Sequence, residues 1–324
     1  MTARALLALF TALALAGCNR KEDTGDAKLQ IVVIPKGTTH DFWKSVHAGA
    51  KQAGDELGVE VIWKGPASEK DKEGQIKIVE GFVASRGADG IALAPIDRSA
   101  LVRPVLDAKR KNIPTVIFDS GLDETESIVS YVATNNYHGG EMGAHHLAKL
   151  LGGEGDVILL RYAAGSESTE ERERGFVETL QKHYPKIRML SDKERVGSDA
   201  AAALRKSESL LIAHKGAVDG VFTVCEPNNK GMLRALENAP WSKDVKFVGF
   251  DSDPRFVQAL RDRRMHGIVL QDPVKMGYLA VKTLVLHLRG EKVEKLITTG
   301  EYLATPDNMD EPRMKELLAP KQID

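Results

Sequence analysis

Two short segments recur in this chain at almost the same spacing. Ala88-Asp89-Gly90-Ile91 is echoed 130 residues later by Val218-Asp219-Gly220-Val221, and Phe118-Asp119-Ser120 is echoed 132 residues later by Phe250-Asp251-Ser252. Each echo closes an apolar run and opens a loop, so one structural position is used twice. A near-constant offset marks a repeated unit, which limits the fold to two similar halves in tandem. The length agrees, because 324 residues exceed one ordinary domain and suit two of about 150.

Within each half, strand and helix alternate. Leu29–Ile34 (LQIVVI) is a short, continuous, β-branched run that suits a strand buried on both faces. Trp43, Val46, Ala50, Ala53 and Leu57 then recur at helical spacing until Gly58. Strands are expected at 59–63, 90–94, 115–118 and 128–133, with helical stripes at Ile76/Val79/Val83 and Leu101/Val102/Val105. The second half repeats the scheme. It has strands at 156–160, 186–190, 220–224, 245–250 and 267–270, and helices at 172–180, 199–207, 230–237 and 274–288. The tail reads as strand-like at 295–299 and polar thereafter. Strand–helix–strand units of this length imply parallel strands joined by right-handed crossovers, hence two doubly wound α/β sheets.

The first residues, MTARALLALFTALALAGC, are an address and not part of that fold. One arginine, an apolar stretch and the small pair Ala16-Gly17 make a signal peptide too short for a membrane span. Leu15, three residues before Cys18, resembles the lipobox of bacterial lipoproteins. That resemblance implies cleavage before Cys18, lipidation of Cys18, a polar tether to about residue 28, and attachment to a membrane by lipid alone. Cys225 would then be the single thiol of the mature chain, so no internal disulfide forms and stability comes from burial. A net charge of -1, from 45 basic and 46 acidic residues, excludes the concentrated positive footprint of a nucleic-acid binder.

Ligands of open parallel sheets bind beyond the carboxyl ends of the strands. Two such sheets facing each other put the candidates in an interlobe cleft: His40, Asp41, Phe42, Trp43, Asp97 and Asp119 from the first half. From the second come Arg172, Cys225, Glu226, Asn228, Asn229, Asp251 and Gln271. Carboxylates accept hydroxyl protons, Arg, Asn and Gln donate to hydroxyl or ring oxygens, and Phe42 and Trp43 offer a face to C–H groups. The set suits a small neutral sugar or polyol. The mixed charges of Glu69–Glu73 (EKDKE) and of Glu170–Arg174 read as solvated surface. KGTTHDF after the first strand departs from GxGxxG, and GxxxxGK[ST], GxSxG and HExxH are all missing, so no catalytic residue, metal site or cofactor is expected.

HDFWKSVHAGA, GADGIALAP, IPTVIFDSG, VATNNYHGGEMG, RERGF and VGFDSDP together resemble the ribose-binding-like family of periplasmic substrate-binding proteins, which serve ABC sugar importers. The resemblance spans about Leu29 to Ile297. It implies two Rossmann-like lobes joined by a three-crossing hinge, a type 1 periplasmic binding protein. The lobes would be 29–133 plus 272–299 and 134–271 plus 300–324, with hinges near Ala133–Asn136, Gln271–Asp272 and Thr298–Glu301. It also implies binding roles for His40, Phe42, Trp43, Asp119, Arg172, Asp251 and Gln271, with Cys225 or Glu226 beside them.

Three positions depart from relatives with ribose specificity: Ser120 replaces an arginine, and Cys225 and His40 replace asparagines. The function implied is an extracytoplasmic lipoprotein, periplasmic or at the cell surface. It would be monomeric and deliver its sugar to an inner-membrane ABC permease. A chemosensory receptor and a secreted sugar-modifying enzyme are the alternatives. A transcription regulator of the same fold would need an N-terminal helix-turn-helix where this chain has a signal peptide.

Overall fold

The computed structural model describes residues 28–323; the signal segment and Cys18 lie outside the described residues. In chain order the first half contributes β1 (Gln30–Ile34), α1 (Asp41–Leu57), β2 (Glu60–Trp63), α2 (Lys72–Ser85), β3 (Gly90–Leu93), α3 (Val102–Arg110), β4 (Thr115–Phe118) and β5 (Ser130–Ala133). The second contributes α4 (Asn136–Leu150), β6 (Gly155–Leu160), α5 (Glu167–His183), β7 (Ile187–Ser191), α6 (Ala200–Ala213), β8 (Gly220–Thr223), α7 (Glu226–Glu237), β9 (Lys246–Phe250), α8 (Pro254–Arg261) and β10 (Gly267–Leu270). Then follow α9 (Pro273–Leu288), β11 (Leu296–Thr298), β12 (Tyr302–Ala304) and α10 (Pro312–Leu318).

The strands make two six-stranded sheets, ordered β11-β5-β4-β3-β1-β2 and β12-β10-β9-β8-β6-β7. Matching β1 through β5 to β6 through β10 superimposes one order on the other. Every neighbouring pair is parallel except β10–β12. Ile31, Val32, Val33 and Ile34 are fully buried, as expected for a strand covered by helices on both faces. The chain passes between sheets three times: between β5 and α4, between β10 and α9, and between β11 and β12. The last helices therefore return across the boundary, and α9 packs against α1 of the first lobe.

Glycines let the covering helices touch backbone to backbone. A Cβ on Gly49 would lie 1.8 Å from the Val274 carbonyl oxygen, and one on Gly277 would lie 2.0 Å from that of Val46, so α1 and α9 meet through a reciprocal pair. The second lobe repeats the device between α4 and α5. There a Cβ on Gly140 would lie 2.1 Å from the Arg172 carbonyl oxygen, and one on Gly175 would lie 2.1 Å from that of Tyr137.

Helix α6, expected at 199–207, runs on to Ala213, and three further differences from the periodicity have a local reason. Helix α5 begins at Glu167, five residues before the expected 172; the buried residues of its first turn, Ser168 and Thr169, are polar and so add nothing to an apolar stripe. Helix α7 begins at Glu226 and not at 230, with Cys225 as its cap and Pro227 in its first turn, a position that suits proline. The tail is not merely polar: β12 completes the second sheet, and α10 buries Met314, Leu317 and Leu318. Seven residues are too few to show a helical period.

Candidate functional site

The carboxyl ends of β1, β4, β6, β8, β9 and β10 converge between the two lobes. They surround a small cavity of about 40 Å³. The wall is polar and charged, yet its residues are almost entirely withdrawn from solvent.

From the first lobe, the chain leaving β1 carries Lys36 into the wall. Lys36 Nζ lies 2.9 Å from Asp119 Oδ2, with both side chains 5% exposed. It also donates to Ser168 Oγ (3.0 Å) and Ser166 Oγ (3.3 Å) of the other lobe. Asp119 follows β4 directly. At the start of α1, Phe42 and Trp43 meet edge to face with centroids 4.9 Å apart, and Trp43 also packs on Phe118 at 6.3 Å. Trp43 thus serves both core and cavity, which its place on the helical stripe allows.

Glu69 overturns the expectation that the EKDKE run is solvated surface. Its Oε1 accepts from Trp43 Nε1 (2.7 Å) and lies 2.8 Å from His40 Nδ1, while its Oε2 accepts from the hydroxyl of Tyr162 in the opposite lobe. Burial alone would raise this carboxyl. The hydrogen bond and charge of His40, the charge of Lys36 and the Tyr162 hydroxyl outweigh it and hold the group at about 2. The neighbouring Lys70 and Lys72 do face outward, pairing with Asp199 and Asp97.

From the second lobe, Arg172 is buried in the second turn of α5. Its Nε donates to Asn136 Oδ1 (2.8 Å), its Nη1 donates to the Val224 carbonyl (2.9 Å), and its guanidinium stacks 3.8 Å over Phe250. Asp251 Oδ2 lies 3.8 Å from Arg172 Nη1 and accepts the Glu226 N–H at 3.2 Å; Asp251 Oδ1 accepts from Gln271 Nε2 at 2.7 Å. Burial raises the Asp251 carboxyl despite Arg172 and Gln271. Cys225, also buried, has its thiol pushed well up by desolvation. Glu226 bonds Lys230 through Oε1, while its buried Oε2 has no hydrogen-bond partner. Burial raises this carboxyl too, against the opposing effect of Lys230.

His40, Phe42, Trp43, Asp119, Arg172, Cys225, Glu226, Asp251 and Gln271 all line this one cavity. Sequence reasoning missed Lys36, Glu69, Tyr162, Ser168, Thr169 and Pro227, which line it as well. Lys36 was in principle detectable, since it follows the first strand as His40 does; Glu69 lies in an irregular loop and Tyr162 beyond β6 had no distinguishing neighbour.

Four weighed candidates do other work. Asp97 caps the Ser99 and Ala100 N–H groups. Asn228 and Asn229 donate to the Leu160 and Phe250 carbonyls, tying α7 to β6 and β9. Asp41 borders a neighbouring cavity beside Phe42.

The lobes touch directly around the cavity. The Ser168 N–H donates to Ser120 Oγ (3.1 Å), and Glu167 Oε2 accepts from the Gly121 N–H (2.7 Å) and the Tyr131 hydroxyl (3.0 Å). Ser120 therefore bridges the lobes, and Lys36 supplies the cation beside Asp119. At the crossings, Thr134 Oγ1 donates to Gln271 Oε1 at 2.7 Å. Among the described residues, no three His, Cys, Asp or Glu side chains are grouped to hold a metal, and no helix is long and apolar enough to cross a membrane.

The family described as "Periplasmic binding protein domain" matches residues 31–292. The ribose import binding protein RbsB of Haemophilus influenzae is 30% identical over 290 residues, covering 90% of this chain and 94% of that protein. A carbohydrate transporter solute binding protein from Agrobacterium radiobacter, solved with D-arabinose, has a TM-score of 0.86 at 33% identity, covering 91% of this chain and all of that one. An ABC transporter solute binding protein from Agrobacterium vitis with bound D-fucose has a TM-score of 0.85 at 32% identity, covering 90% and 100%.

Proposed function

The chain belongs to the periplasmic binding protein family, and from that premise we propose that its interlobe cavity captures one small sugar for an ABC importer. It is an extracytoplasmic sugar-binding protein that delivers its substrate to a permease; the family's members are transport binding proteins, not enzymes. The observation that carries the reading is the meeting of Asp119 and Arg172, from opposite lobes, on one enclosed cavity.

The ligand contacts proposed are the hydrogen-bonding groups of His40, Asp119, Arg172, Glu226, Asp251 and Gln271, with Phe42 and Trp43 against the C–H faces and Cys225 filling the wall between. Both lobes contribute, so the site is complete only when they close. A guest drives closure by its greater affinity for the closed form. The hinge runs through the three crossings, at 134–135, 271–272 and 299–301. The protein acts as a monomer tethered by lipid on Cys18 after signal cleavage; the lipobox-like sequence and the polar tether support this.

Thermal shift across pentoses, hexoses and polyols tests the capture step, because a guest selective for the folded form raises its Tm. X-ray scattering with and without the hit should report compaction. Binding without compaction ends the trap mechanism. Replacing Cys18 by Ala should release the protein from the membrane fraction; retention there would overturn the anchor.

A further inference from the structure

Glu69 lies on the loop between β2 and α2, and its one carboxylate gathers three side chains of the cavity wall. Its Oε1 accepts the Trp43 indole N–H at 2.7 Å and lies 2.8 Å from His40 Nδ1, while its Oε2 accepts the Tyr162 hydroxyl. All four residues line the cavity. A carboxylate offers about four acceptor sites, so most of this one is spent on protein and little is left for a guest.

The loop is held within the first lobe. The Thr39 hydroxyl donates to the Ala67 carbonyl (3.2 Å), the Asp71 N–H donates to the Ser68 carbonyl (3.0 Å), and Asp71 caps α2 through the Gly74 N–H (2.8 Å). Gly37 leaves room beside the side chain, since a Cβ there would lie 3.0 Å from Glu69 Cγ. Trp43 and His40 belong to the same lobe, so their bonds to Glu69 need no partner from across the cleft. Tyr162 follows β6 and belongs to the other lobe.

The two first-lobe partners are sugar-facing rings that could otherwise turn. Glu69 is ionised at neutral pH, with a folded value of about 2, and an ionised carboxylate only accepts. His40 must therefore carry a hydrogen on Nδ1, which leaves Nε2 as the nitrogen open to a guest. The indole, held by its N–H, keeps one orientation. Groups already set in their bound orientation lose less freedom when a ligand arrives.

We infer that Glu69 is the positioning residue of this site: it fixes the Trp43 indole and the His40 imidazole as the sugar meets them, and takes the Tyr162 hydroxyl as the lobes close. The inference rests on the sugar-binding reading above. Affinity is then set partly by a hydrogen bond that no guest atom shares. Tyr162 reports the coupling, because its hydroxyl reaches the cluster only across the cleft.

The test uses the mature protein, the monosaccharide that gives its largest thermal shift, and the variants Tyr162→Phe, Glu69→Met and their combination. Calorimetry reads Kd, unfolding without sugar reads Tm, and nitrogen-15 NMR at pH 8 reads the His40 tautomer. Tyr162→Phe should weaken binding about 10-fold, as for a hydrogen bond to a charged group, and leave the sugar-free Tm unchanged. Glu69→Met should weaken it further, and adding Tyr162→Phe to it should change Kd by no more than about twofold, because the two share one bond. Wild-type His40 should carry its hydrogen on Nδ1, and Glu69→Met should lose that signature. A fall in sugar-free Tm with Kd unchanged in Tyr162→Phe would reduce the cluster to a structural contact and overturn the inference. Additive losses in Kd would also overturn it. If no monosaccharide binds the wild type, the sugar-binding reading itself falls; if sugar binds and the variants bind it equally well, only the positioning role falls. Tyr162→Phe removes a lone oxygen and decides the matter even if Glu69→Met unfolds.

Discussion

Asp119 and Asp251 stand at the same place in the two sheets, one residue beyond β4 and β9, and both hold a left-handed backbone with φ of 63° and 73°. Few non-glycine residues adopt that conformation, and aspartate is among those that tolerate it. The turn swings each carboxylate away from its strand and into the shared cavity. Their partners have diverged: Asp119 faces Lys36, while Asp251 faces Arg172, Gln271 and the Glu226 N–H. One duplicated backbone device thus presents two chemically different acceptors, one from each lobe.

Removing either carboxylate should weaken sugar binding by about 2 kcal/mol, roughly 30-fold in Kd, the value of a hydrogen bond to a charged group. Asp119→Ala should also lower stability, because Lys36 is left buried without its carboxylate. Adding Lys36→Met to Asp119→Ala should restore the Tm without restoring binding. Calorimetry and thermal unfolding of the three variants check this, and recovery of binding in the double variant would contradict it.

Glu69 should make the protein acid-sensitive in a defined window. Its folded value of about 2 lies below the ordinary 4.5, so its stabilisation is full above pH 4.5 and is lost as pH falls towards 2. That difference corresponds to something on the order of 3 kcal/mol. Denaturant unfolding at pH 5, 3.5 and 2.5 should show a shallower loss for Glu69→Gln than for the wild type. Parallel curves would refute the role assigned to the carboxylate.

Lys70, the next residue, makes a useful contrast. Its 2.9 Å pair with Asp199 also spans the lobes, but the side chains are 58% and 38% exposed. Water screens such pairs, so Lys70→Ala should change stability by under about 1 kcal/mol. A loss in Tm comparable to that of Glu69→Gln at neutral pH would show that exposure is a poor guide here.

The helix-contact glycines should separate stability from binding. Gly49→Ala and Gly140→Ala each drive a methyl into a facing carbonyl, at 1.8 and 2.1 Å, and should cost about 3 kcal/mol or more. The carbonyl that Gly140 meets belongs to Arg172, so only Gly140→Ala should also weaken sugar binding in the protein that remains folded. Equal affinities for the two variants would break the link between helix packing and the guanidinium.

Much of this was legible in order along the chain. LQIVVI, the stripe from Trp43 to Leu57 and the echoed Phe-Asp-Ser segments report local periodicity and repetition, and those survive reading in one dimension. Signals shorter than a helical turn or two did not survive: the starts of α5 and α7 and the existence of α10 emerged only where long-range packing buried their inward residues.

The sequence alone therefore determined two parallel α/β units and the residues at their strand ends, because strand burial and loop position follow from side-chain alternation and run length. Only the tertiary structure decided which charges meet. Glu69 looks like any member of a solvated run until Tyr162, 93 residues away, closes over it. Lys36 looks like a loop lysine until Asp119 and Ser168 surround its ammonium. Electrostatic partnership depends on distance in space and on the exclusion of water, and neither is written in the order of residues.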